Sequence, residues 1–147
     1  MPEFSITCPD FNEGEEIPKK FGYKHENEQP RIVFCNQPKG TIGLALIMDD
    51  PDAMKAVGKV WVHWLEHGST RGFDGDFGDI MISGKTDFGE IGYGGPAPPD
   101  GRHTYIFKGY ALNAMLDLKK GYSKQELEDV MKGHIISEAK LTGTFAP

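Results

Sequence analysis

Short apolar runs recur along the chain, most of them with a period of two. Residues 4–7 alternate apolar and polar and predict a strand. Residues 31–35 (RIVFC) and 41–48 (TIGLALIM) predict two more, joined by the turn-forming NQPKG. The second run is apolar on both faces, so it is expected at the centre of a sheet. Between the first two runs, FNEGEEIPKKFGYKHENEQP is too polar and too broken to be anything but loop, with its charges solvated.

Residues 60–65 (VWVHWL) form the next run. Strict alternation puts Val60, Val62 and Trp64 on one face, with Trp61, His63 and Leu65 on the other. A histidine between two large apolar groups is most simply a satisfied core residue, and His67 beyond it reads as loop. Residues 68–84 are loop-like with a short strand expected at 79–83. From His103 the run HTYIFKGYAL predicts a buried strand with His103, Tyr105 and Phe107 on one face, opposite Thr104, Ile106 and Tyr110.

SKQE at 123–126 is a capping box, Ser123 at the N-cap and Glu126 at the third position, ahead of Leu127, Val130, Met131, His134 and Ile135 at helical spacing. Gly133 weakens the last turn, and AKLTGTF reads as a short final strand. Seven or eight strands against one helix, with no regular alternation of the two, predict a mainly β domain of two packed sheets with a helix near the C-terminus.

A length of 147 residues fits a single domain, 1–147, with a full core. Hydrophobic residues at 38% and charged residues at 26% describe an ordinary globule. Sixteen Lys and Arg against 22 Asp and Glu give a net charge of −6, and no basic cluster exceeds two residues, which argues against a nucleic-acid interface. The N-terminal residues have no signal-peptide pattern and no apolar run reaches membrane-spanning length, so a cytoplasmic protein without stable membrane insertion is expected. Cys8 and Cys35 fit no metal spacing; reduced thiols are the simpler expectation, and a bridge between their strands stays open.

The chemistry-bearing motifs of common enzymes are missing: no Walker lysine motif, dinucleotide GxGxxG, HExxH or GxSxG is present, and GDFG at 75–78 has no kinase-like context. Two features stand out instead. The central apolar run ends in Asp49, Asp50, Pro51 and Asp52, either an Asx-type turn or carboxylates that need backbone amides, a histidine or a cation as partners. Residues 86–105 (TDFGEIGYGGPAPPDGRHTY) hold five glycines and three prolines, a shaped loop that delivers His103 to the mouth of a strand. A titratable ring beside accessible backbone is a plausible place to hold an anion.

Three pieces, DDPDA at 49–53, HW at 63–64 and DFGEIGYGGPAPPDGRHTY at 87–105, resemble in order and spacing the phosphatidylethanolamine-binding protein (PEBP) family, in particular its short bacterial and archaeal, YbhB/YbcL-like branch. GHIISEAKLTGTF at 133–145 is similar to that branch's ending, as more faintly is Ile17–Pro18 after Gly14. The resemblance implies a β-sandwich with a helix near the C-terminus and a small cavity for phosphate-type groups: a phospholipid headgroup, a phosphoamino acid or a nucleotide phosphate. Carried over position by position, it puts Asp50, Asp52, His63 and His103 in the site, with Gly95, Pro96, Pro98 and Pro99 as the rest of its rim. The histidines and glycine-rich backbone are expected to donate to the anion, and an aspartate to orient a histidine and raise its pKa.

Three places depart from the family pattern: Met54 where proline is usual, Thr104 where arginine is usual, and QPRI at 29–32 in place of a segment close to SPPL. What the resemblance implies is binding or regulation, relatives acting as kinase modulators and protease inhibitors, with a homodimer compatible. No catalytic residue, cofactor or metal ligand is assigned. The rival readings are a metal-dependent or acid/base hydrolase using the same histidines and aspartates, and a protein-interaction module with a vestigial pocket.

Overall fold

The computed structural model describes residues 3–70 and 81–147. Among these the chain order is β1 (Ser5–Thr7), β2 (Val33–Cys35), β3 (Gly43–Asp50), α1 (Ala53–Val57), β4 (Trp61–Ser69), β5 (Met81–Ser83), β6 (His103–Leu112), α2 (Lys124–Met131) and β7 (Ile135–Phe145), with a short 3-10 turn at Lys19–Phe21. β1 and β2 pair as a two-stranded sheet; the other five strands form an antiparallel sheet in the order β5-β4-β3-β6-β7. The mainly β fold with two sheets and a C-terminal helix is the expected one. GDFG and the first two residues of the expected 79–83 strand lie outside the described residues.

β3 is buried at every position because both faces of its sheet are covered. Leu44, Leu46 and Met48 face a core completed by Ile6, Phe11, Ile17, Phe21, Ile32 and Phe34 from the small sheet and the long N-terminal loop. Ala45 and Ile47 face Tyr122, Leu127 and Met131, which belong to α2 and its approach. Each large side chain so buried contributes about 2 kcal/mol, so the two layers clamp the central strand at the point where it delivers its aspartates.

Four expectations are corrected. The pairing of β3 with β4 shifts between Met48↔Trp64 and Asp49↔Val62, which leaves His63 as the extra residue of a β-bulge. The bulge reverses the alternation, so Val62 joins the helix-side core while Trp64 joins the opposite one, and Leu65 faces away from His63. His67 is a buried residue of β4, not loop, its Nε2 2.8 Å from the Leu118 carbonyl.

The helix stops at Met131, short of His134 and Ile135: Lys132 turns to extended backbone and Gly133 takes a φ of +82°, which glycine tolerates best. Ile135 instead opens β7, eleven residues long rather than a short tail. The short helix α1, directly after the aspartates, escaped the pattern because five residues span little more than one turn. Cys8 and Cys35 are both free thiols.

Candidate functional site

The site is built where β3 ends. Asp50 Oδ1 accepts from the backbone N–H of Asp52 at 3.0 Å, closing the Asx turn, while its Oδ2 lies 2.6 Å from His103 Nδ1. Both sequence readings of DDPD are therefore realised by one carboxylate. Asp52 is exposed; its Oδ2 accepts from the backbone N–H of Thr104 at 2.8 Å and pins the turn to the start of β6.

His103 is buried and held from both sides. Its Nδ1 meets Asp50, and its Nε2 lies 2.6 Å from Oδ1 of Asp100, whose side chain is 49% exposed. Two carboxylates at that distance call for a proton on each ring nitrogen, the imidazolium form. Burial pulls the pKa of His103 down, but hydrogen bonds and charge from Asp50 and Asp100 outweigh it, and the net shift is upward.

His63 is the opposite case. The bulge turns its ring into the space beside His103, Nδ1 2.7 Å from the Gly94 carbonyl and the ring edge-on to Phe88 and Tyr105. Burial holds its pKa below the ordinary value despite the nearby carbonyls and aspartates. In the neutral ring that donates through Nδ1, Nε2 is the acceptor.

Asp50, His63 and His103 line a cavity of about 120 Å³ together with Trp61, Phe88 and Tyr105. Alanines and Val57 of α1, with Ala97 and Pro99 of the loop, complete largely apolar walls. Two donors in this lining lack a well-formed hydrogen bond: Trp61 Nε1 and Tyr105 Oη are both buried, the latter close to the Asp50 carboxylate and the Ala97 backbone. Burial, then the charge of Asp50, pushes the Tyr105 phenol far up, so it remains an O–H. Unmatched buried donors cost about 1–3 kcal/mol each, an expense seldom carried without a purpose. A larger depression of about 640 Å³, between residues 36–39 and β7, is open and contains neither histidine nor such a donor.

Of the residues picked from sequence, Asp50, His63, His103 and Pro99 meet on the cavity, while Asp52 lies on an outer groove on the other side of His103. Gly95, Pro96 and Pro98 do not line it. Gly95 N–H donates to Asn27 Oδ1 at 2.8 Å and the Pro96 carbonyl accepts from Tyr23 N–H at 3.0 Å. A Cβ on Gly95 would stand 1.9 Å from the Phe21 carbonyl oxygen, so glycine is needed for backbone to meet backbone, not ligand. Gly92 and Gly94 likewise spend their N–H groups on Gly84 and His63 carbonyls. The N–H groups of Gly92, Gly94 and Gly95 are thus committed within the fold, and side chains that sequence reasoning left out of the site, Trp61 and Tyr105, provide donors instead. Their signal was present: Tyr105 shares His103's face two residues on, and Trp61 shares His63's. Asp100, three residues before His103, was also missed.

Among the described residues no three of His, Cys, Asp and Glu gather as a metal-binding group. Residues 7–146 match the profile described as "Phosphatidylethanolamine-binding protein". The chain is a member of the phosphatidylethanolamine-binding protein family. It is similar to UPF0098 proteins of Methanothermobacter thermautotrophicus, 38% identical with 92% of this chain and 93% of the relative covered, and of Chlamydia trachomatis, 34% identical with 95% and 97% covered. Among solved structures, the PEBP homologue CT736 of Chlamydia trachomatis superposes with a TM-score of 0.86 at 34% identity, covering 96% of this chain and 95% of the other. Escherichia coli YbcL, described as a member of the mammalian PEBP family, gives 0.82 at 25% identity, covering 98% of each. Two of this PEBP-family chain's departures from the family pattern fall outside the cavity lining: Met54 on the outer groove and Thr104 on the exposed face of β6.

Proposed function

We propose that this protein binds, without turnover, a small ligand through a phosphate-type group, and that binding serves a regulatory role. The observation that carries this reading is the pair of buried donors without a well-formed hydrogen bond, Trp61 Nε1–H and Tyr105 Oη–H, in one small cavity beside an imidazolium. Several acceptor oxygens on one compact group would satisfy both donors at once, and the charge of His103 favours a negative one. Aromatic and alanine walls leave room for only a few atoms beyond that group. Family membership adds that a binding protein is the expected class. The lining contains no serine, threonine, cysteine or lysine to serve as a nucleophile, which favours binding over hydrolysis. A kinase or protease as the regulated partner, and a cytoplasmic setting, belong to the same proposal; no helix among the described residues is long and apolar enough to cross a membrane.

Calorimetric titration of inorganic phosphate and phosphoethanolamine tests it, with wild type, His103→Ala and Tyr105→Phe at pH 6 and pH 8. The charged form of His103 is lost as pH rises through its raised pKa, so binding is expected to weaken at the higher pH. His103→Ala abolishes it, and Tyr105→Phe weakens it about tenfold, the loss of one donor. Absence of saturable binding by wild type at either pH sinks the reading. A phosphoethanolamine preference over phosphate would point to a headgroup; equal affinity would point to a bare phosphoryl group.

A further inference from the structure

We infer that the cavity binds its ligand's anionic group with one proton still on it, that O–H donating to His63 Nε2. The ligand class is then a phosphate monoester in its monoanionic form, and a sulfate ester of the same shape is turned away. The inference rests on the anion reading of the cavity and adds which ionic form the site selects.

His63 is 2% exposed, and its Nδ1 lies 2.7 Å from the Gly94 carbonyl oxygen, a group that only accepts. Nδ1 therefore carries a proton. A second proton on Nε2 would make the ring a cation. Burial opposes that, and the Gly94 and Gly95 carbonyls with the charges of Asp50 and Asp49 do not reverse it. Nε2 is left as a bare lone pair on a side chain of the cavity lining. The peptide carbonyl sets the tautomer and, through it, the polarity of this part of the wall.

The other polar groups of the lining complete the pattern. Trp61 Nε1–H can only donate, and Tyr105 keeps its O–H because burial holds the phenol protonated. The lining thus offers two donors and one lone pair. In ROPO3H− two oxygens share the charge and accept, one O–H donates, and the fourth oxygen carries the substituent. A sulfate ester, ROSO3−, has the same shape and charge but no proton, so nothing on it can satisfy His63. A phosphate dianion has the same fault and one charge more.

Charge agrees. Asp50 from β3 and His103 from β6 sum to zero, Tyr105 is neutral, and among the described residues the lining has no lysine or arginine. The charges further out are spoken for: Asp49 is paired with Lys108 and Lys124, Asp87 with Lys59, and Arg102 with Glu16, while Asp100 and Lys55 lie on the outer groove. One imidazolium already matched by Asp50 leaves no surplus positive charge for a dianion.

The test is calorimetric titration of wild type with methyl phosphate and methyl sulfate in a pH series from 5 to 8, with the ring nitrogens of His63 followed by NMR. At pH 5 both probes are monoanions and only methyl phosphate carries the proton, which it loses near about pH 6. There it is expected to bind about a hundredfold tighter than methyl sulfate, the scale of a buried acceptor left without a donor. Its affinity falls as the pH rises; for methylphosphonate, which loses its second proton at higher pH, the fall moves up with the ligand. The His63 Nε2 resonance should shift on binding and stay that of an unprotonated nitrogen. Methyl sulfate binding as tightly as methyl phosphate at pH 5, a fall at the same pH for both phosphorus probes, or an Nε2 that is unmoved or gains a proton overturns the selected form and leaves the anion site standing. Binding of inorganic phosphate but not of methyl phosphate overturns the monoester. No saturable binding of any of these probes removes the anion site and the inference with it.

Discussion

Asp49 and Asp50 are chain neighbours at the end of one strand, 1% and 3% exposed, and they are placed for opposite ends. Asp49 points to the helix side, where Oδ2 receives Lys124 at 2.8 Å and Lys108 at 3.3 Å. Both partners are lysines, one from α2 and one from β6, so the cluster ties helix to sheet. Asp50 points to the other side, where its partner is a histidine whose charge depends on its surroundings, with a cavity beside it. The first arrangement pairs the carboxylate with two cations inside the fold. The second places it on the wall of a cavity that also holds the Trp61 and Tyr105 donors. A buried aspartate therefore says little about function until its partners are known.

The largest effect expected from breaking this contrast falls on stability. Asp49→Asn leaves two lysine charges facing each other across a neutral amide. Their side chains are 31% and 24% exposed, so water recovers part of the loss. Unfolding in urea should show a destabilisation of about 2 kcal/mol, below the range for fully buried pairs. Phosphate affinity should be unaffected, since Asp49 is no part of the cavity wall. A variant that keeps full stability but loses binding would reverse the assignment of the two aspartates.

Asp50→Asn should act the other way round. The single amide oxygen can still accept from the Asp52 N–H, so the turn survives, but the NH2 then faces His103 Nδ1 and the charge-assisted bond is lost; the stability loss is expected at about 1 kcal/mol. His103 loses the first of the two carboxylates that raise its pKa, so the pH at which phosphate binding fades should move down. The imidazole resonances of His103, followed through a pH titration, measure that shift directly. No downward movement would mean that Asp50 does not sustain the charge on His103.

Sequence periodicity located this end of the sheet but not its interior geometry. Strand alternation puts His103 and Tyr105 on one face, and they do share the cavity wall. The same rule fails at β4, because one bulged residue reverses every later position, and a bulge has no composition of its own in VWVHWL. Glycines and prolines announced a shaped loop without saying what shapes it. Gly95 and Pro96 fit residues 21–27, some seventy positions earlier, and a contact so distant leaves no local trace. Asp100 was hidden for a related reason: Pro-Asp-Gly is an ordinary turn sequence until the third residue beyond it is seen to be the buried histidine.

The smallest effect is the most discriminating one, because the two cavity histidines should contribute to stability with opposite signs. His103 has a raised pKa in the folded protein. Its contribution is fully present below the ordinary histidine value of about 6.5 and is lost as pH rises through the raised one. His63 and His67 have lowered pKa values, because burial penalises their charged forms. Their contribution is fully present above about 6.5 and is lost as pH falls through the folded values. In wild type these contributions make stability rise with pH below about 6.5 and fall above it. His103→Gln removes only the falling limb, so in denaturant unfolding that variant should lose less stability above about pH 6.5 than wild type does. The gap between wild type and variant should be widest near pH 6 and narrow toward pH 9. A gap that widens with pH would mean that His103 is neutral in the folded state, and the two-carboxylate clamp would then have to share a single ring proton.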